Sequence, residues 1–495
     1  MLLWGIVLLA ALLRLDDLGQ RSLWADEIFS ASVAADHPLI PSQGMPWFER
    51  LRILDVRLGQ SFWTVKAADQ SPPLFELAVK LSVALFGLNE FAVRFPSALA
   101  GILLVAWLAV SAARGSGRTE RAAFAWAALF CAVAPEAVAY GQEARAYSLG
   151  MLWSGILIAQ WYRRWLHGFG AAASPGWGEV LVFILGCHTH FNLILLSAVL
   201  LTAYGWVALR RRDAAAVGRL ALVPLACIPW VVMTAHTYLF TMDGGIAWVQ
   251  MAWYQVVAAS IGVTPRLFLW PWLVLALLSL AWFWGVRRAA GDRAARRVLP
   301  LAPGLALLGL MLAYLVLLGL MVSRSGIFHY RHLMFLMAAL ALLAGHLLSP
   351  MRPVPALSAG LIALLAASLP ARDVPDRSTG NFRAAFEHVL ARLEPTAPLV
   401  GITPADRRFY VDVLTPGSTR PLILLPAFED HPEAYDDACQ ELERLGARQV
   451  GVVTHRIRLP FTEALMARCQ HRYDVVESKE VGDMLVQLWL RRAGP

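Results

Sequence analysis

The sequence predicts a polytopic α-helical membrane protein, with about eleven transmembrane helices, interfacial helices in the first outer loop and a soluble C-terminal α/β domain. Three observations carry that expectation. The chain of 495 residues is 58% hydrophobic and only 16% charged, against about 25% charged residues in an ordinary soluble protein. The charge is uneven: residues 1–370 hold 44 Asp, Glu, Lys and Arg, whereas residues 371–495 hold 34 in a third of that length. The first part is also a series of apolar runs of near-spanning length. The boundary at 370/371 therefore separates a membrane domain, 1–370, from an extracytoplasmic α/β domain, 371–495.

The apolar runs fall at about 1–15, 94–113, 121–138, 146–163, 178–190, 191–209, 217–236, 266–286, 300–322, 333–349 and 354–370. The first resembles a signal-peptide core, but no small-residue cleavage site follows it, so it reads as an uncleaved first helix. Basic residues cluster in alternate connectors: Arg114, Arg118 and Arg121; Arg163 and Arg164; Arg210, Arg211, Arg212 and Arg219; Arg287, Arg288, Arg293, Arg296 and Arg297; and Arg352. These 15 charges mark the cytoplasmic side. The opposite connectors and the whole tail then lie outside, on the periplasmic or extracellular face of a bacterial inner membrane. The net charge of +8 belongs to the membrane part, with 27 Lys and Arg against 17 Asp and Glu. It sets topology and gives no indication of a nucleic-acid partner. The short apolar segment 74–86 would invert a basic loop if it crossed, so it is expected as an interfacial or re-entrant helix packed on protein.

In the tail, 382–393 and 434–445 have helical spacing. Short apolar stretches at 398–402, 422–425, 449–453, 473–476 and 484–490 read as strands. That alternation indicates an α/β unit. Cys131, Cys187 and Cys227 sit in apolar runs as small hydrophobes, whereas Cys439 and Cys469 are available to pair in an oxidising compartment.

Four polar groups interrupt the apolar pattern on the outer side. Asp26 and Glu27 follow Trp24 just after the first span. Adjacent helical residues point about 100° apart, so one can face a cleft while the other bonds locally, for example as a cap. Glu143 and Arg145 lie among Tyr140, Gln142 and Tyr147 in the second outer loop. His188 and His190 flank Thr189 at membrane depth, where ionisable groups are functional candidates. His329, Tyr330, Arg331 and His332 close the series, and Arg331 suits a phosphate oxygen. Bland readings exist for each: a helix start, a surface ion pair, a satisfied histidine, a snorkelling anchor. Together they suit transfer of a group from a lipid phosphate. The leaving phosphate needs cations or a metal, and the acceptor needs a carboxylate to take its proton.

The stretches SLWADEIFSA, SPPLFELAVKLSVALFGLNEFAVRFPSALAG, YGQEARAYSL, HTHF and YRHLMFLMAAL, in this order and spacing, resemble the GT-C glycosyltransferases of the protein O-mannosyltransferase and lipid A aminoarabinose transferase type. The resemblance covers residues 1–370, and the tail from TGNFRAAFEHVL is similar to the variable periplasmic domain of bacterial members. It implies an inverting glycosyltransferase that moves a hexosyl or pentosyl group from a polyprenyl-phosphate donor to a glycan, lipid or protein acceptor at the outer face. By this resemblance Asp26, Glu27 and Glu143 are the catalytic candidates, with Asp26 leading. Arg331, Arg145 and His190 are the candidates for the donor phosphate. His188, His190 and Glu143 are the candidate ligands should a divalent metal be used, and no cofactor is certain. The family's Pro-Pro motif falls on Pro72 and Pro73.

One departure matters. The aminoarabinose branch carries a lysine just before that pair, where this chain has Gln70 and Ser71, with Lys66 nearby. This argues against that sugar as the substrate. A lipid-linked-sugar flippase or transporter is the main alternative, and a non-catalytic assembly protein is another. Transporters build broken helices and repeats around a midplane site, whereas this sequence shows no repeat and puts its polar groups at one face.

Overall fold

In the computed structural model, residues 2–36, 61–63, 66, 71–169, 174–241, 301–325, 330–349, 381–402, 408–425, 433–455, 459–482 and 484–492 are described. Expected spans 266–286 and 354–370, the basic residues at 287–297 and Arg352, and His329 lie outside them. The chain opens with α1 (Leu2–Leu15) and a short helix in the first loop, α2 (Ala25–Ala34). Then follow α3 (Leu74–Phe86), α4 (Glu90–Arg114), α5 (Arg118–Val133), α6 (Pro135–Gly141), α7 (Tyr147–His167), α8 (Trp177–Cys187), α9 (Phe191–Arg210) and α10 (Ala214–Thr241). After these come α11 (Leu301–Ser325), a 3₁₀ helix (Tyr330–Leu336) and α12 (Met337–Leu348). Among the described residues, five helices are long and apolar enough to cross a membrane, or six if the bent pair α5–α6 is one span. The helices of this part expose large apolar side chains, including Leu8, Leu103, Trp206, Val232, Leu312 and Leu320. In water such a surface is unstable; in a bilayer it is the covered one.

Three spans depart from simple rods, each for a local reason. The run expected as one helix over 121–138 bends by 60° between α5 and α6. Pro135 has no N–H to return to the Cys131 carbonyl, so the helix breaks there. The buried Arg14 guanidinium of α1 takes over, donating to the Cys131 carbonyl at 2.7 Å and the Ala132 carbonyl at 3.0 Å. Gly101 leaves room for it: a Cβ there would stand 2.5 Å from Arg14 Nε. The second break separates α8 from α9 at the His188–His190 turn. The third is the 3₁₀ entry to α12, which occupies the start of the span expected over 333–349. The segment 74–86 is a 13-residue helix that begins at the Pro72–Pro73 pair. Its Leu74 N–H donates to the His188 carbonyl at 2.9 Å, tying the first loop to the histidine turn.

The tail runs α13 (Phe382–Leu390), β1 (Leu399–Ile402), α14 (Arg408–Leu414), β2 (Leu422–Leu425), α15 (Glu433–Arg444), β3 (Gln449–His455), α16 (Leu459–Cys469), β4 (Tyr473–Val481) and β5 (Met484–Arg491). The strands form one sheet in the order β2-β1-β3-β5-β4, parallel between β2, β1 and β3 and antiparallel through β5 and β4. Tyr435, Cys439 and Leu442 of α15 join Leu465 and Cys469 of α16 in one core with Val450, Val452 and Trp489 of the sheet. Cys439 and Cys469 are disulfide-bonded. Phe382, Phe386 and Val389 of α13 and Tyr410 of α14 build a second core. That core continues into Leu23, Ile28, Phe75, Val93 and Ala144 of the membrane part. The sequence pattern missed α14 and α16, which are short and lack a long apolar period, whereas α2 falls in the first loop, where helices were expected.

Arg14→Met keeps an apolar stem of similar length but leaves the two carbonyls at the bend dry. The expected loss is about 1–3 kcal/mol for each carbonyl, read as a lower thermal midpoint of the detergent-solubilised chain. An unchanged midpoint would show that Arg14 does not hold the bend.

Candidate functional site

The site grows from a buried ion pair at the head of α4. Arg94 has 6% and Glu27 2% of its side chain exposed. Arg94 Nε donates to Glu27 Oε1 at 2.8 Å and Nη2 to Oε2 at 2.7 Å. The other guanidinium protons go to the carbonyls of Leu18, Arg21 and Ser22, at 3.2, 2.7 and 2.9 Å. Glu27 also accepts from the Trp24 N–H at 3.2 Å, closing the first turn of α2, and from the Ala144 N–H at 2.8 Å. This one carboxylate thus caps the first-loop helix and anchors the second loop. Its lone pairs are occupied by structural bonds, so Glu27, expected among the catalytic groups, is placed as the local cap of the acidic pair.

Its neighbour Asp26 points the other way, with 41% of its side chain exposed. Arg331 Nη1 donates to Asp26 Oδ2 at 3.1 Å, and the guanidinium lies 4.9 Å from the centre of the Trp24 ring. Arg145 Nη1 donates to the Asp26 carbonyl and to Ser30 Oγ, both at 3.3 Å. Burial alone pulls the Arg145 guanidinium down, but the charges of Asp26, Tyr147, Glu76 and Glu143 outweigh it and hold its pKa above the ordinary value. Glu143 is buried and lies within electrostatic reach of both Arg145 and Arg331. Asp26, Glu143, Arg145 and Arg331, from three separate segments, therefore share one neighbourhood.

A second pair adjoins it. Lys66 is fully buried and donates to Glu76 Oε2 at 3.2 Å and to Ser71 Oγ at 2.8 Å. Glu76 is itself felt by Arg145. Ser71 occupies the position directly before Pro72, where the aminoarabinose branch has its lysine, so an ammonium reaches that position from five residues upstream. Glu76 was missed in the sequence; its signal was a lone carboxylate in an otherwise apolar helical turn. Arg94 was missed because a charge at the start of an apolar run reads as the membrane boundary.

The histidine turn contributes a wall. The His190 ring lies 4.8 Å from Phe335, 5.4 Å from Tyr147 and 6.3 Å from His332 between ring centres. Its Nδ1 accepts from the Asn192 N–H at 3.2 Å, capping α9. Phe335 comes this close to α7 because Gly150 has no side chain; a Cβ there would lie 2.2 Å from the Phe335 ring. His188 faces its own helix, with Nδ1 2.8 Å from the Ile184 carbonyl. Among the described residues, no group of three His, Cys, Asp or Glu is arranged to hold a metal ion. His188, His190 and Glu143 are therefore not gathered into the ligand set considered above, because the two rings turn to different partners across a broken turn.

No family model matches the chain, and no curated protein matches it. Solved structures do. The crystal structure of ArnT from Cupriavidus metallidurans bound to undecaprenyl phosphate is 15% identical, with 98% of this chain and 97% of that chain covered and a TM-score of 0.56. The same protein in the apo state aligns at 15% identity over 98% and 97%, with a TM-score of 0.54. The chain thus shares the polytopic membrane fold of that protein over nearly its whole length.

Arg94→Ala strands the Glu27 carboxylate in a buried site. The expected loss is about 3–5 kcal/mol, seen as a large fall in thermal midpoint. Asp26→Asn touches a half-exposed pair and is expected to move the midpoint little. Equal falls for both variants would contradict the division between a holding and a facing carboxylate.

Proposed function

We propose that this chain is an inverting glycosyltransferase that takes a sugar from a polyprenyl-phosphate donor and delivers it to an acceptor at the outer face of the membrane. The observation that carries the reading is the Asp26–Arg331 contact at 3.1 Å, with Arg145 bonded to the same turn and Glu143 beside both arginines. An acid from the first loop and a cation from a late span meet in one place, as displacement at a lipid phosphate requires. The fold of a protein whose structure holds undecaprenyl phosphate supports the donor class.

In this reading Arg331, Arg145 and Lys66 stabilise the donor phosphate. The phosphate competes with Asp26 for the Arg331 guanidinium, and its capture frees the carboxylate. Asp26 then takes the proton of the acceptor hydroxyl or amine as that atom attacks the anomeric carbon. The bond from that carbon to the phosphate oxygen breaks, and the lipid phosphate leaves with the bonding electron pair held by the cations. Glu143 partly offsets the positive charge of the two arginines and helps to orient the acceptor. Glu27 positions the loop, and His190 forms the wall against which the sugar or phosphate packs. Attack opposite the leaving phosphate inverts the anomeric centre.

The reading includes a topology of eleven spans, with the amino terminus in the cytoplasm and residues 371–495 as a separate extracytoplasmic α/β domain on a bacterial inner membrane. The Cys439–Cys469 disulfide supports that placement, because such bonds persist in oxidising compartments.

The test is transfer from a purified polyprenyl-phosphate sugar by the chain in lipid nanodiscs. Asp26→Asn is expected to lower turnover by a factor of about a hundred or more with the fold retained. Lys66→Ala, at a cation buried beside the loop, is expected to raise the donor KM by about tenfold. Wild-type rates in Asp26→Asn would remove the proposed base. A reporter fused at the C terminus is expected to be active only outside the cytoplasm, and a cytoplasmic signal would break the topology.

A further inference from the structure

Tyr410 lies in α14, more than 380 residues from the first loop, yet its hydroxyl is buried against that loop. The Leu23 N–H donates to Tyr410 Oη at 2.6 Å. Tyr410 Oη and Ser22 Oγ are 3.0 Å apart. Ser22 Oγ donates to the Leu23 carbonyl at 3.2 Å and accepts from the Arg383 N–H at 3.2 Å. The proton assignment follows: Tyr410 accepts from Leu23 and donates to Ser22, so no proton in this circuit lacks a partner. Burial pushes the Tyr410 phenol up, so it stays protonated and able to donate. Arg383 adds a second tie, from Nη1 to Glu90 Oε1 at 2.8 Å.

The segment Arg21–Trp24 is thus gripped from two sides. From the membrane part, Arg94 holds the carbonyls of Arg21 and Ser22. From the tail, Tyr410 holds the Leu23 N–H and the Ser22 hydroxyl. The next residue, Trp24, lies under the Arg331 guanidinium, and Asp26 follows one residue into α2. A shift of Leu23 therefore displaces both the ring beneath Arg331 and the carboxylate bonded to it.

We propose that Tyr410 is a positioning residue through which the C-terminal segment sets the geometry of the Asp26–Arg331 pair. The catalytic part of this inference rests on the transferase reading above; the mechanical part does not. The sheet with its helices then acts as a strut against the first loop. Its ring is fixed independently of the hydroxyl, with Phe409 at 5.0 Å and Phe386 at 5.9 Å between ring centres. Removing one oxygen therefore leaves the packing in place.

The experiment uses the full chain in nanodiscs and compares wild type, Tyr410→Phe, Asp26→Asn and the double variant. Hydrogen exchange is read first. In Tyr410→Phe, amides of peptides covering residues 21–24 are expected to exchange about tenfold faster, with β3 and β5 unchanged. Transfer is read second. The kcat is expected to fall about tenfold with the donor KM within about twofold, and to fall no further when Tyr410→Phe is added to Asp26→Asn. Unchanged exchange over residues 21–24 overturns the strut. Faster exchange with unchanged kcat overturns the positioning role, as does an additive loss in the double variant. If the wild type transfers no sugar from any donor, the transferase reading fails, and the exchange result alone decides whether Tyr410 holds the loop.

Discussion

The buried pair of Arg94 and Glu27 is the interaction on which the arrangement of this protein depends. It satisfies all five guanidinium protons of Arg94 and joins three stretches of chain that are otherwise far apart. Two charges removed from water are stable only when each finds such a complete set of partners. Here the partners are backbone groups of the loop after α1 and the loop before α7. The pair therefore fixes where α2 starts, and with it the direction of Asp26. Through the Ala144 N–H it also fixes the stretch that carries Glu143 and Arg145. The opposed roles of two adjacent acids follow from that geometry: one is consumed in holding the loops, and the other is left facing Arg331.

A second constraint comes from the backbone. Irregular backbone at membrane depth is tolerated only where protein groups satisfy it. The bend at Pro135, the turn at His188–His190 and the 3₁₀ entry at Tyr330–Leu336 are three such places, and the last two meet around Tyr147, His190 and Phe335. Arg14, Asn192 and Leu74 supply the hydrogen bonds that make the first two breaks stable. Broken spans leave side chains from their ends pointing at a shared space, where intact helices would send them to lipid.

Much of this was legible in the sequence because apolar period and loop charge are strong local signals. The helices from α1 to α9 and the strands of the tail lie close to where those signals put them. Adjacent acids after Trp24 already allowed one to face a cleft while the other bonds locally. Other features were hidden because they are decided by tertiary contacts. Pro135 reads as one apolar residue among many until the fate of the Cys131 carbonyl is known. Lys66 reads as off-motif by position, yet its long side chain reaches Ser71. The Tyr410 contact to Ser22 and Leu23 spans almost the whole chain and leaves no local trace. His188 and His190 are close in the sequence, but their rings turn to different partners.

The most direct test is an electron-microscopy map of the chain in nanodiscs with undecaprenyl phosphate bound. The account predicts the phosphate within hydrogen-bond reach of Arg331, with the Asp26 carboxylate released toward the acceptor side and the lipid tail running between helices. Density for the phosphate away from Arg331, with the Asp26–Arg331 contact intact, would contradict it.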